Sequence, residues 1–167
     1  MNLVGMISLA ILSILHPAET MAQEEKFFWI SEGRKDGIRL FKHEMENSSR
    51  NYYKASLKID TAPQKSIGLI RDIEKAPHWM SQLNKAEKIS GESTGETLYY
   101  YVWDIPWPFS NRDSVSVMRQ SRDPEAGTTT IRFTNYKGNY PKQKDRVRIE
   151  SFELIWKVES LTQERTE

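Results

Sequence analysis

The chain contains no cysteine. That excludes disulfides, thiolate metal sites and a thiol nucleophile. Histidine is nearly as scarce, with three in 167 residues. Beyond the extreme N-terminus only His43 and His78 remain, each among charged or turn residues, so no multi-histidine metal site is expected. An excess of one charge is missing too: 24 Lys and Arg are set against 23 Asp and Glu, for a net charge of +1. A protein that holds nucleic acid through a basic face needs an excess of Lys and Arg, so no nucleic-acid partner is expected. There is no internal repeat, no Gly/Ser-rich linker and no low-complexity segment. No metal, nucleotide or nucleophile motif stands out, so no cofactor is expected.

What is present begins with an apolar run from Leu3 to Leu15, followed by Pro17-Ala18-Glu19-Thr20-Met21-Ala22. An apolar stretch of this length, then a helix breaker and small residues, reads as a secretory signal peptide over 1–22. It is short for a transmembrane helix, which needs ~20 apolar residues. Its amino-terminal end lacks Lys and Arg, leaving a buried N-terminal helix or a retained anchor as the other readings. The working domain is then a single one over 24–167, placed in the periplasm or secreted. Lacking cysteine, it is indifferent to the redox state of that compartment.

Beyond the leader, Phe27-Phe28-Trp29-Ile30 opens a short helix or strand. Gly37–Glu46 and Tyr52–Asp60 read as a hairpin around the turn signal Asn47–Asn51, the second run alternating Tyr53, Ala55, Leu57 and Ile59 with polar residues. Thr61-Ala62-Pro63 is a helix start, with Thr61 as the cap and Pro63 in the first turn. Ile67, Ile70 and Ile73, with Leu69, make its apolar stripe, and Pro77 is expected to stop it. The rest is β: Lys85–Ser90, Glu96–Ile105, Ser114–Ser121, Thr128–Tyr136 and Arg146–Glu159. This order of elements indicates an α+β fold built on a curved antiparallel sheet.

Two strands are unusual. Tyr99, Tyr101 and Trp103 share one face of their strand, while Leu98, Tyr100 and Val102 share the other, so neither face is expected to meet water. In the last strand Phe152, Leu154, Trp156 and Val158 alternate with Ser151, Glu153, Ile155 and Lys157. Such a sheet needs a cover, and the sequence outside the leader supplies one good helix. The segment between two of these strands, Asp104-Ile105-Pro106-Trp107-Pro108-Phe109-Ser110-Asn111-Arg112-Asp113, is the most distinctive. Its prolines stiffen a loop around Trp107. Arg112 beside Asp113 at a strand start either locks the loop to the sheet through charge-assisted hydrogen bonds or offers a guanidinium to an anionic head group. Trp107 and Phe109 either pack on a neighbouring strand, the favoured reading, or touch a membrane.

The Pro-Trp-Pro-Phe-Ser-Asn-Arg-Asp run before a strand resembles the StAR-related lipid-transfer (START) domain. Trp29 with Asp36-Gly37-Ile38, Tyr53-Lys54-Ala55 leading to Ile59-Asp60, the set Leu69, Asp72 and Trp79, and Val147-Arg148 with Trp156 are similar to further elements of that family. The resemblance runs from about Trp29 to Val158. It implies a helix-grip fold: a curved antiparallel sheet, a short helix after the first hairpin, and a hydrophobic cavity holding one lipid or sterol. It implies no catalytic residues. Binding would come from apolar area removed from water, with a few polar groups orienting the ligand. The ligand-binding candidates are Tyr99, Tyr101, Trp103, Arg112, Asp113, Met118, Arg119 and Trp156. Strand alternation decides whether Met118 or Arg119 points inward. Met118 would suit a neutral, sterol-like ligand, and Arg119 a phosphate or carboxylate.

The sequence departs from the family after Trp156, where the long gripping helix is expected and Ser160–Glu167 is polar without an apolar stripe. A truncated gene product is the simpler account, and a partner that supplies the cover is the other. An uncovered inner face would favour homodimerisation or aggregation. The functional expectation is an exported carrier of an apolar small molecule, with transient membrane contact. The alternatives are an enzyme of the wider helix-grip superfamily, cyclase-like and dependent on an acid–base pair in the cavity, and a truncated fragment without function of its own.

Overall fold

The computed structural model describes residues 28–44, 51–90 and 97–160. The expected leader, the turn at 47–50 and the tail beyond Ser160 lie outside the described residues. The chain divides into two compact units, meeting at Lys58 and Ile59.

The first unit is a three-stranded antiparallel sheet, β1 (Ile30–Lys35), β2 (Ile38–Glu44) and β3 (Asn51–Ser56), in that order. β1 and β2 meet through Asp36 and Gly37, both at positive φ (50° and 83°). Two consecutive left-handed residues make the tight hairpin turn whose twist matches the strands, and Asp-Gly is suited to it. Lys54 Nζ sits 4.6 Å from the Trp29 ring centre and 4.5 Å from that of Phe41, while His43 Nδ1 lies 3.1 Å from the Phe28 carbonyl.

The second unit opens with α1 (Pro63–Arg71) and a 3-10 helix (Ile73–His78). Pro63 is in the first turn as expected, but Ala62 is the N-cap and no side chain caps the helix. Thr61 stands one position too early to do so. The helix also ends before Pro77: Asp72 is its C-cap, and Pro77 lies inside the 3-10 helix that follows. Ile70 and Ile73 are buried and Ile67 packs against them, whereas Leu69 is 50% exposed, off the stripe that 3.6-residue periodicity draws.

A six-stranded sheet follows, in the order β4 (Leu83–Ser90), β5 (Thr97–Trp103), β6 (Arg112–Asp123), β7 (Thr128–Asn135), β9 (Glu153–Glu159), with β8 (Val147–Arg148) pairing β6. All pairs are antiparallel except β6–β8. The run expected as one strand over Arg146–Glu159 is thus two, because β8 joins β6 while β9 joins β7. At the β6–β7 turn, Asp123 Oδ1 accepts from the amides of Glu125 and Ala126 at 3.0 Å each.

β5 is buried from Leu98 to Val102, as its aromatic content predicts. One face of the sheet packs Tyr99, Tyr101, Ile131 and Phe133 under α1 and the 3-10 helix. The other packs Leu98, Tyr100, Val102, Val115 and Val117, partly beneath Tyr136 and Tyr140. Among the described residues no helix follows β9.

Candidate functional site

The β5–β6 register places Tyr99 opposite Ser116, Tyr101 opposite Ser114 and Trp103 opposite Arg112. Directly paired residues share a face. The β6–β7 and β7–β9 registers continue the same face through Met118–Phe133–Leu154 and Ile131–Trp156. This inner face and the helical layer enclose a cleft. Ile70, Ile73 and Ala76 form one wall, with Trp79 and Met80 from the turn that follows. Tyr101, Trp103, Phe133, Phe152, Leu154 and Trp156 form the other. The lining is therefore almost wholly apolar.

Ring contacts set its shape. Trp79 meets Trp156 edge-on at 5.8 Å, Tyr101 stacks on Trp103 at 5.5 Å, and Trp103 meets Phe152 edge-on at 6.4 Å. The remaining space is about 20 Å³, room for a water-sized group. A drug-sized ligand needs several hundred Å³. The cleft is thus narrow, with the helical layer resting on the sheet. The layer covers part of the inner face, while Trp103, Met118, Phe152, Leu154 and Trp156 remain only partly buried on it.

Burial raises the hydroxyl pKa of Tyr99 and Tyr101. The Ser116 hydroxyl pulls Tyr101 the other way, although the two do not make a hydrogen bond of ordinary geometry. Among the described residues no carboxylate or imidazole lines the cleft.

The eight candidate residues do not gather in one place. Tyr101, Trp103 and Trp156 line the cleft, and Tyr99 and Met118 pack against the same core. Arg112 is on the inner face by register, and its guanidinium donates to the Ser110 carbonyl within its own loop. Arg119 is exposed and lies on the other face, since adjacent strand residues point oppositely. The choice between Met118 and Arg119 falls to Met118 as the residue packed on the inner core.

Asp113 also faces away from the cleft. It is 1% exposed and accepts from Arg148 Nε at 2.7 Å, Arg148 Nη2 at 3.0 Å and the Tyr100 hydroxyl at 2.9 Å. Burial alone would raise its pKa, but Arg148 and Tyr100 hold it below the ordinary carboxylate range. Burial and then the bond to Asp113 push Tyr100 up to about 12. A lock does exist at the Arg-Asp pair, then, but the arginine that closes it is Arg148. It ties down the segment before β8, since Arg148 also donates to the Tyr140 and Pro141 carbonyls at 3.3 and 2.9 Å.

The loop over 104–111 has a fixed base. Asn111 accepts from the Ile105 amide and donates to Asp104, each at 3.0 Å, while the Asp104 amide donates to the Gln82 carbonyl at 2.8 Å. Its tip does not pack on a neighbouring strand: Trp107 is 92% exposed and Phe109 65%. That overturns the packing expectation for both rings.

Sequence reasoning missed Phe133 and Phe152 as cleft walls, and Ser114, Ser116 and Asn135 on the inner face. The alternation Ser114-Val115-Ser116-Val117 carried the signal for the serines, since it puts both on the face opposite two valines.

A cleft of this kind, between a short helical layer and an antiparallel sheet, belongs to the helix-grip class. The START domain family model matches residues 16–149, and the chain belongs to that family. A STAR-related lipid transfer protein from Xanthomonas axonopodis is similar in structure, with a TM-score of 0.65 and 21% identity over 77% of this chain and 79% of that one. Human STARD10 aligns with a TM-score of 0.61 and 22% identity, over 72% of this chain and 49% of its own. The lipid transfer and protein localization domain of human StarD13 aligns with a TM-score of 0.65 and 17% identity, over 82% and 69%. No curated protein matches the chain in sequence.

Proposed function

We propose that the chain carries a neutral, lipid-type small molecule in the cleft between the α1 layer and the inner face of the sheet. The observation that carries this reading is the lining, aromatic and aliphatic from both walls, with Met118 rather than Arg119 on the inner core. Burying such a surface against an apolar ligand stabilises the complex by about 25 cal/mol per Å². Family membership and the similar lipid transfer proteins support the same class of ligand. The absence of carboxylate or imidazole from the described lining favours binding over cyclase-like chemistry, which needs an acid–base pair.

Loading requires the cleft to widen. Trp79 and Met80, at its rim and partly exposed, are the groups that must swing away from Trp156. Trp107 and Phe109 project from a braced loop whose base is bonded to Gln82, two residues from Met80. We place the membrane contact there, since aromatic side chains partition well into the lipid–water interface. The leader-like segment over 1–22 supports export, so the domain over 24–167 would work in the periplasm or outside the cell.

Native mass spectrometry of the chain purified from its host tests the reading. A co-purifying neutral lipid in a one-to-one complex is expected. A delipidated, monodisperse chain that takes up no fluorescent lipid or sterol refutes it, and dimerisation of such a chain would mark the apolar surface as a pairing face instead.

A further inference from the structure

Ser114 and Ser116 are completely buried on the inner face, and neither hydroxyl makes a hydrogen bond of ordinary geometry, although the Tyr101 hydroxyl lies near that of Ser116. Asn135 is bonded through one end only: its Nδ2 donates to the Ile149 carbonyl at 2.8 Å, while its buried Oδ1 has no partner. These atoms are neighbours. Ser116 is directly opposite Asn135 in the β6–β7 ladder, which sets their Cβ atoms ~5 Å apart. Ser114 is two residues along the same strand, on the same face and ~7 Å away. Each unsatisfied buried polar group costs roughly 1–3 kcal/mol, so three gathered on one spot call for an explanation.

Packing explains only the size of the serines. β6 lies between β5 and β7, so the contact of Trp103 with Phe152 passes over it, and small residues beneath the rings are required. Alanine would serve that purpose without a stranded hydroxyl. The cluster adjoins the cleft: Tyr101, paired with Ser114, lines it, and so does Phe152, whose carbonyl accepts from the Asn135 amide at 3.3 Å.

We propose that Ser114, Ser116 and Asn135 form the seat for a single neutral hydroxyl on the carried ligand, an alcohol borne by an apolar body. The ligand hydroxyl donates to Asn135 Oδ1 and accepts from a serine hydroxyl. The nearest cation on this face, Arg112 two residues from Ser114, donates to the Ser110 carbonyl in its own loop, so a phosphate or carboxylate seated here would lack a bonded counter-charge. This rests on the carrier reading and adds the ligand's polar end to it.

The test uses the full chain, a fluorescent polyene sterol, and the same sterol with its hydroxyl replaced by hydrogen. Energy transfer from the cleft tryptophans to the polyene reports binding. The wild-type chain is expected to bind the hydroxyl form about tenfold or more tightly than the deoxy form. Ser116→Ala and Ser114→Ala should each erase much of that preference, leave deoxy binding unchanged, and melt no lower than wild type without ligand. A wild-type chain that binds both forms equally, or serine variants that keep the preference, overturns the seat while leaving the carrier reading in place. A chain that binds neither form overturns both. A ligand-free melting temperature that drops in both variants shows the hydroxyls already paired within the fold, and also overturns the seat.

Discussion

Replacing Arg148 with methionine should be among the most damaging single changes in the sheet. Arg148 is 11% exposed and its bidentate partner Asp113 is 1% exposed. Methionine fills much of the space but leaves a buried carboxylate with Tyr100 as its remaining hydrogen-bond donor. Breaking a buried pair from one side costs about 3–5 kcal/mol, a large part of the stability of an ordinary domain. With a urea slope of about 2 kcal/mol per M, the unfolding midpoint should fall by about 2 M. Removing both charges, as Asp113→Asn with Arg148→Met, should recover much of the loss, because no orphaned charge remains. The pH dependence follows from Asp113. In the wild type its pKa is held down, so its contribution is present above the unfolded value of ~3.9 and lost as pH falls through the folded value. In Arg148→Met, burial acts without the guanidinium and raises the carboxyl, so the penalty is relieved as the group protonates. The gap between the two proteins should therefore begin to narrow above about pH 4, as the raised carboxyl of the variant takes up its proton, and go on narrowing below it as the wild type loses its own contribution. Urea melts at pH 7 and pH 3.5 decide it. A gap under about 1 kcal/mol at pH 7, or one equal at both pH values, refutes the reasoning.

The other predictions concern the loop tip, the hairpin, the core and the tyrosines. Trp107→Ser with Phe109→Ser should reduce flotation with lipid vesicles about tenfold or more while leaving the melting temperature unchanged, given how exposed both rings are. Gly37→Ala puts a Cβ at φ 83° and should cost about 1–2 kcal/mol in denaturant melts. Ile131→Ala, at a fully buried position, should cost about 2–5 kcal/mol by the same measurement. Tyr100, raised to about 12, stabilises the fold fully below the unfolded tyrosine value of ~10, and that contribution is lost as pH rises toward 12. An absorbance titration should show its ionisation lagging behind that of exposed tyrosines, and simultaneous titration of all of them would contradict the buried Asp113 contact.

Much of the sheet was legible because strand alternation is a local property. Leu98–Val102 announced a strand buried on both faces through its side chains alone, and the fold agrees. The Asp36-Gly37 dipeptide is a local hairpin signal as well, and read as such it would have located β1. Boundaries that depend on competition were less visible. α1 ends at Arg71 rather than at Pro77, because a 3-10 helix takes over and accommodates the proline inside it. The break between β8 and β9 was invisible, since the two halves of one apolar run choose different partner strands.

The sequence by itself determined the family, through the Pro-Trp-Pro loop and its Arg-Asp, and the chemical character of the interior, through aromatic residues at period two. It also determined what the chain lacks for thiol chemistry and for polyanion binding. Tertiary structure alone decided which face each residue served. Register, a long-range property, brought Met118 to the inner core and left Arg119 exposed on the other side. It carried Asp113 to Arg148, thirty-five positions away, rather than to its neighbour Arg112. It also brought Ser114, Ser116 and Asn135 together beside the cleft. Side-chain identity states what a residue can do, and the pairing of distant strands settles what it meets.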